Sequence, residues 1–346
     1  MRKLILFLIV IAALYGLWTG YRLYWRTGDP DIVATIVIPD GATFATVQDL
    51  LVQKGILPAR DARLLKWYVR WNDLDTKLAT GDVQIVIGGS VQDVAQAIAN
   101  KPRAVKKLTI IEGWDLHDLK KYLVEQDIKG AGGLFNYTGI PGWDYRKEKG
   151  QPTKFLNESF NVLKHKPWYV SFEGYLFPDT YEMYEDATVE DVLKKMLART
   201  DHFIDQGAID LFRFHDMNVH EALTMASIVE REVRGLDDRR KVVDILLRRN
   251  AQNWAFQVDS TVNYVTGGDR PAITLKDAEI DSLYNTYKYP GFPLGPIAMS
   301  SQLSLQATTN PWGNQDFYFL TDPEGNVHYA ETLEQHNENK RKYLSN

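Results

Sequence analysis

Apolar residues recur along this chain in three rhythms, and each predicts a different element. The first is an unbroken run, Leu4-Ile5-Leu6-Phe7-Leu8-Ile9-Val10-Ile11-Ala12-Ala13-Leu14, carried on without a charge to Tyr21. About 20 apolar residues cross a bilayer core. Arg2 and Lys3 precede the run, and Trp18, Tyr21, Tyr24 and Trp25 would form an aromatic belt at one interface. The run is longer than a signal-peptide core, and no small-residue cleavage site comes before Arg22. These features predict an uncleaved transmembrane anchor over 1–25, with 4–21 in contact with the membrane. Everything after Trp25 would lie on one side.

The second rhythm is a short β-branched run, a glycine turn, and apolar residues at helical spacing. It occurs at Ile38-Pro39-Asp40-Gly41 with Val47 and Leu51. It recurs at Ile87-Gly88 with Val94 and Ile98, and at Ile111-Glu112-Gly113 with Leu119 and Leu123. Three strand–turn–helix units follow. The basic turn Asn100-Lys101-Pro102-Arg103 suggests a boundary, giving a small α+β module over 32–102 and a larger domain over 103–346.

The third rhythm is a helical period over about 188–205, 218–234 and 237–251. Before it, 127–171 is rich in Gly, Pro and aromatics and reads as loop. After it, Phe317–Leu320 and Val327–Tyr329 flank Asp322-Pro323-Glu324-Gly325-Asn326 and predict a hairpin. A helix over about 333–344 closes the chain. The fold class is α+β throughout: an N-terminal membrane helix, a small module, and a larger mixed domain.

Composition narrows the function. The net charge of −5 gives no electrostatic footprint for nucleic acid. The absence of cysteine excludes disulfides and thiolate metal sites. The seven histidines are scattered without metal spacing. No metal or cofactor is implied.

Candidate chemistry centres on the helix opening at Asn218. On a wheel of about 100° per residue, Val219, Ala222, Leu223, Ala226, Val229 and Val233 form one stripe, and Glu230 falls inside it. Glu221 and Glu232 point away, as solvated glutamates would, and Gly235 reads as the stop. An inward carboxyl holds its proton more tightly, as a general acid must. It can equally be the partner of a buried arginine, and the helix alone favours that second reading. Three loop-like segments accompany it: 172–181, 257–264 and 284–297. Each mixes aromatic rings with amide, hydroxyl or carboxylate groups, a combination that suits sugar rings.

Together these segments resemble the endolytic murein transglycosylases, the YceG-like family. The likeness rests on FEGYLFPDTY at 172–181, ASIVERE at 226–232, QVDSTVNY at 257–264, YNTYKYPGFPLGPIA at 284–298, and TLEQHN at 332–337. It covers nearly the whole chain. The chain departs from the family pattern at Ser260 and Leu294, where Pro is usual, and at Leu283-Tyr284. The resemblance implies a LysM-like module over 32–102 and a catalytic domain beyond it. It also implies a lytic transglycosylase that cuts the β-1,4 bond between N-acetylmuramic acid and N-acetylglucosamine within nascent peptidoglycan strands, ending their elongation. The product ends would be 1,6-anhydro. The matching position makes Glu230 the acid/base. Glu173, Gln257, Ser260, Asn285 and Tyr287 are the candidates for holding sugars, with Glu173 and Asp179 alternatively second carboxylates that would permit hydrolysis. The implied location is the inner membrane with the catalytic domain in the periplasm, beside the synthases. A membrane-anchored peptidoglycan-binding scaffold without catalysis is the competing reading.

Overall fold

The structure is a computed structural model that describes residues 2–25, 33–99, 105–147, 160–268 and 273–344, with the side chains of 2–12 outside the description. The expected boundary turn at 100–103 and the Pro152 portion of the loop region lie outside the described residues. The chain divides into two compact units, Met1–Ala104 and Val105–Asn346.

The first unit begins with helix α1 (Arg2–Tyr24). Among the described residues, which for α1 leave out the side chains of 2–12, no helix is long and apolar enough to cross a membrane. The end of α1 is tied to the body of the unit: Leu23 is buried in its core, and Arg22 forms an ion pair with the buried Asp61. Next come β1 (Val33–Ile38), α2 (Phe44–Gln53), α3 (Ala62–Trp71), β2 (Gly81–Val86) and α4 (Val91–Ala99). Strands β1 and β2 pair antiparallel, Val33 opposite Val86 and Ile38 opposite Gly81. Ile36, Ile38, Val83 and Ile85 alternate onto the buried face, where Leu51, Leu65, Val69, Val94 and Ile98 meet them. Two of the three predicted strand–turn–helix units are thus β1–α2 and β2–α4. Helix α3 sits between them and was not anticipated.

The second unit opens with the third such unit, β3 (Val105–Thr109) and α5 (Leu116–Glu125), then the short α6 (Phe135–Thr138). Strand β4 (Thr180–Tyr184) returns to pair antiparallel with β3, Leu108 opposite Tyr181. A helical run follows: α7 (Val189–Phe203), α8 (Gln206–Phe214), α9 (Val219–Glu232), α10 (Leu236–Ala251), α11 (Asp259–Thr266), α12 (Leu275–Ala278) and α13 (Gln302–Thr309). The predicted hairpin is β5 (Tyr318–Thr321) with β6 (Val327–Ala330), and α14 (Leu333–Tyr343) closes the chain.

Helix α9 lies at the centre of this unit. Asn218 caps it through a reciprocal box with Glu221. Every residue from Ala222 to Val229 is buried, including Thr224 and Ser227, so the helix has almost no solvent face. It ends at Glu232, two residues earlier than its apolar period suggests. Val233 is already extended, at φ −145° and ψ 155°. Gly235 does not stop α9; it is the N-cap of α10.

Candidate active site

The loops singled out by composition converge on the α9 end of the unit, and their backbones are stitched together. Thr261 and Thr286 hydroxyls meet at 2.9 Å, and the Val258 N–H donates to Thr286 Oγ1 at 3.2 Å. Gln257 sits at φ +52°, an uncommon conformation for a residue other than Gly, Asn or Asp. Its N–H donates to the Thr286 carbonyl at 3.1 Å, which helps to hold that geometry. The 172–181 loop passes so close to Pro296 that a Cβ on Gly174 would lie 2.3 Å from the ring. Gly174 is also at φ +71°, so two independent demands require glycine there.

The 257–263 segment and the Tyr287 loop, with the C-terminal hairpin and α14, line a cavity of about 860 Å³ that the 172–181 loop does not reach. Glu232, Asp259, Ser260, Gln257, Tyr287 and Arg249 are among its lining residues. Glu230 is not one of them. Its side chain is 7% exposed and fully engaged. Oε1 accepts from Arg239 Nη2 at 2.8 Å, while Oε2 accepts from the Ser301 N–H at 2.8 Å, from the Ser301 hydroxyl, and from Ser304 Oγ at 2.9 Å. Arg239 is itself buried and uses its other nitrogens on the Val233 carbonyl and Ser301 Oγ. Of the two readings open for Glu230, this is the geometry of a buried ion pair joining α9, α10 and α13.

Glu232 is the opposite case. The wheel placed it toward solvent; it is instead half-buried at the cavity wall. The wheel misleads here because α9 is surrounded by protein, so the face opposite the main stripe meets other loops and not bulk water. Burial pushes the Glu232 carboxyl above the ordinary glutamate value, and the negative charge of Asp259 adds to this. Ser260 and Arg231 pull it back. The Ser260 N–H donates to Glu232 Oε1 at 3.3 Å; its hydroxyl lies alongside without a well-aligned hydrogen bond and has no other protein partner. Glu232 is also the last residue of α9, where the helix dipole disfavours an added negative charge.

The other predicted residues separate into cavity and scaffold. Gln257 is exposed on the cavity wall. Tyr287 lines it and donates its hydroxyl to Asp259 Oδ1 at 2.5 Å. Burial first, then this bond, raises the Tyr287 phenol, which therefore stays protonated. Asn285 is buried and faces no open space. Its amide donates to the carbonyls of Ala278 and Ile280, both at 2.9 Å, and its oxygen accepts from the Tyr287 N–H at 3.0 Å. It positions the Tyr287 loop and is not placed to touch a sugar. Glu173 is buried away from the cavity, accepting from the Leu116 N–H and the Tyr264 hydroxyl, each at 3.2 Å. Burial, reinforced by Asp115, raises its carboxyl strongly. Asp179 pairs with Arg199 at 2.8 Å, also outside the cavity lining.

Three cavity residues were not among the sequence-based site candidates, although one of them, His336, lies within the 332–337 motif. Arg249 is buried and donates to the carbonyls of Phe256 and Phe317, with no carboxylate among its hydrogen-bond partners. Tyr318 comes from the hairpin and His336 from α14, and their rings stack with centroids 5.2 Å apart. Burial, then Lys340 and Arg249, hold the His336 imidazole down to about 4, so it is neutral at neutral pH. Its Nδ1 is buried with no protein partner.

Residues 36–342 match the YceG-like family, and the chain belongs to that family. Among curated proteins it is 28% identical over 320 residues to the endolytic murein transglycosylase of Bacillus subtilis (strain 168), covering 92% of this chain and 86% of that one. It is 25% identical over 326 residues to the endolytic murein transglycosylase of Streptococcus pneumoniae serotype 2, covering 90% of this chain but only 58% of that longer protein. The crystal structure of a YceG-like protein from Listeria monocytogenes aligns with a TM-score of 0.55 and 30% identity, over 88% of this chain and 98% of the other.

Proposed function

We propose that this chain is a peptidoglycan lytic transglycosylase in which Glu232, and not Glu230, is the proton-transferring acid and base. The observation that carries the reading is the contrast between the two carboxyls. One is at the cavity wall with its proton held up by burial, while the other is fully engaged in an ion-pair network. The curated relatives support the reaction class through their names.

The reaction is an internal displacement. The Glu232 carboxyl donates its proton to the glycosidic oxygen as the bond from that oxygen to muramoyl C1 breaks. The muramoyl C6 hydroxyl oxygen then bonds to C1, and its proton passes to the Glu232 carboxylate, restoring the acid. No water is consumed, and the product ends are 1,6-anhydro. One carboxyl serves both steps, whereas glycosidases canonically use two. Asp259, the second carboxylate of the cavity, is occupied by Tyr287 and serves to keep Glu232 protonated. Gln257, the Ser260 hydroxyl, neutral His336 and the Tyr318 ring are the groups available to sugar hydroxyls, acetamides and ring faces.

We further propose that α1 anchors the enzyme in the inner membrane with the catalytic unit in the periplasm. The uncharged run over 4–21 supports this, since a 23-residue helix reaches about 35 Å. Tethering raises the local concentration of enzyme where new strands emerge beside their synthases. There the enzyme would cut strands internally and end their growth. The first unit, a β-α-α-β arrangement followed by α4, is read as LysM-like on its element order.

The test is mass spectrometry of muropeptides released from purified sacculi. Anhydro ends, one water lighter than reducing ends, are expected from the native chain and absent with Glu232→Gln. Reducing ends would make it a hydrolase, and no new ends a binding scaffold.

A further inference from the structure

The first unit carries an exposed face that neither its core nor the catalytic reading explains. On α3, Arg63, Lys66, Trp67, Arg70 and Trp71 line one shallow depression. Trp67 is 51% and Trp71 74% exposed, an unusual amount of apolar surface to leave in water. Their rings stack on each other with centroids 5.5 Å apart. Among the described residues, none of the three cations pairs with a carboxylate. The opposite side of α3, Leu65, Tyr68 and Val69, is in the core.

The location of this face decides what it fits. Asp61, the N-cap of α3, is the partner of Arg22 near the end of α1. The N-terminal end of α3 is therefore tied to the end of α1, which itself packs chiefly on α4, and the exposed Tyr21, Tyr24 and Trp25 lie at that end of α1. On a 100° wheel the two tryptophans fall between the buried Tyr68 and the three cations. Tryptophan prefers the membrane–water interface, and Lys and Arg next to it meet anionic headgroups. A glycan is the poorer fit. The depression offers no carboxylate or amide to sugar hydroxyls, and the tryptophans cover part of each other's faces.

We infer that the Arg63–Trp71 face of α3 docks on the surface of a bilayer containing anionic phospholipids, fixing the first unit flat beside its anchor. This rests on the reading of α1 as a membrane anchor. It would add a second membrane contact to the anchor, and two contacts fix an orientation that one helix cannot.

The chain has no cysteine, so single nitroxides are unambiguous. The full-length protein is reconstituted in phosphatidylglycerol-containing or pure phosphatidylcholine vesicles, labelled through Lys66→Cys or, as the anchor control, Val10→Cys. Ascorbate reduction of each label is then followed. The position 66 label should be protected in anionic vesicles and exposed in neutral ones. Its protection should be lost in 1 M salt, where screening acts over about 3 Å. Trp67→Ser with Trp71→Ser should also expose it. The Val10 label should stay protected throughout. An exposed label at 66 in anionic vesicles with a protected label at 10 overturns the inference and leaves the anchor standing. An exposed label at 10 overturns the anchor reading itself. Equal protection at 66 in both vesicle types, or protection only after glycan strands are added, refutes an anionic lipid partner.

Discussion

Replacing Glu230 and Glu232 separately by Gln should produce opposite phenotypes, although the two lie two residues apart. At position 230 the substitution removes the charge facing Arg239, whose side chain is 7% exposed. It also puts an amide NH₂ where a carboxylate oxygen accepted: either toward Arg239, or toward the Ser301 N–H and the Ser301 and Ser304 hydroxyls. A donor would then face donors in either rotamer. Breaking a buried ion pair from one side costs about 3–5 kcal/mol, chiefly because the remaining charge is left uncompensated. For a unit of this size, roughly 2–4 °C of Tm is lost per kcal/mol, so Glu230→Gln should melt about 6–20 °C lower. At position 232 the substitution removes a charge whose ionisation burial already disfavours. Its Tm should stay within about 2–4 °C of the parent, corresponding to less than about 1 kcal/mol. Its rate of anhydro-end formation should fall by at least about 10²–10⁴-fold, the usual size of general acid–base assistance. Differential scanning calorimetry and timed sacculus digestion, run on the same preparations, measure both. Normal melting with abolished turnover in Glu230→Gln, together with near-normal turnover in Glu232→Gln, would refute the assignment and restore Glu230 as the acid.

Three further outcomes follow from the same geometry. Catalysis needs Glu232 protonated at the start, so kcat/KM should fall as pH rises through a value above the ordinary 4.5. Asp259→Asn removes a charge that raises this group, so the alkaline limb of that profile should move to lower pH; an upward move would contradict the proposed role of Asp259. Asn285→Ala leaves the carbonyls of Ala278 and Ile280 and the Tyr287 N–H without their partner, each unmet group costing about 1–3 kcal/mol. It should lower both the denaturation midpoint and activity, and a normal midpoint would argue for direct sugar contact instead. Glu173 has a folded-state pKa raised well above its unfolded value, so its stabilising contribution is complete below about 4.5 and is lost as pH rises through the folded value. Glu173→Gln should therefore match the parent at low pH and be at least as stable at neutral pH, as read from urea midpoints across pH.

Much of this molecule is legible in its sequence. The period of α9 placed Val219, Ala222, Leu223, Ala226 and Val229 correctly in the core, because an apolar stripe must be covered whatever covers it. The hairpin and the closing helix were set by local turn and capping chemistry. The segments at 257–264 and 284–297 were marked by a composition that ordinary connections do not need, although 259–264 folds as the start of α11 and not as loop. Their residues divided only on folding, with Gln257 and Tyr287 facing the cavity and Asn285 turned inward to hold the loop.

Which of the two carboxyls faces the cavity was decided by tertiary structure alone. A helical wheel reports the direction in which a side chain leaves its own helix, and it is silent on what occupies that direction. For Glu230 the occupants are Arg239, Ser301 and Ser304, nine to 74 residues further along the chain. For Glu232 the direction expected to hold water is walled by residues of α11, the hairpin and α14, and α9 stops at that residue because Val233 turns extended. Local periodicity fixed which faces needed burial. Only the packing of distant segments determined which of two neighbouring carboxyls became an ion-pair partner and which was left a cavity and a proton to hold.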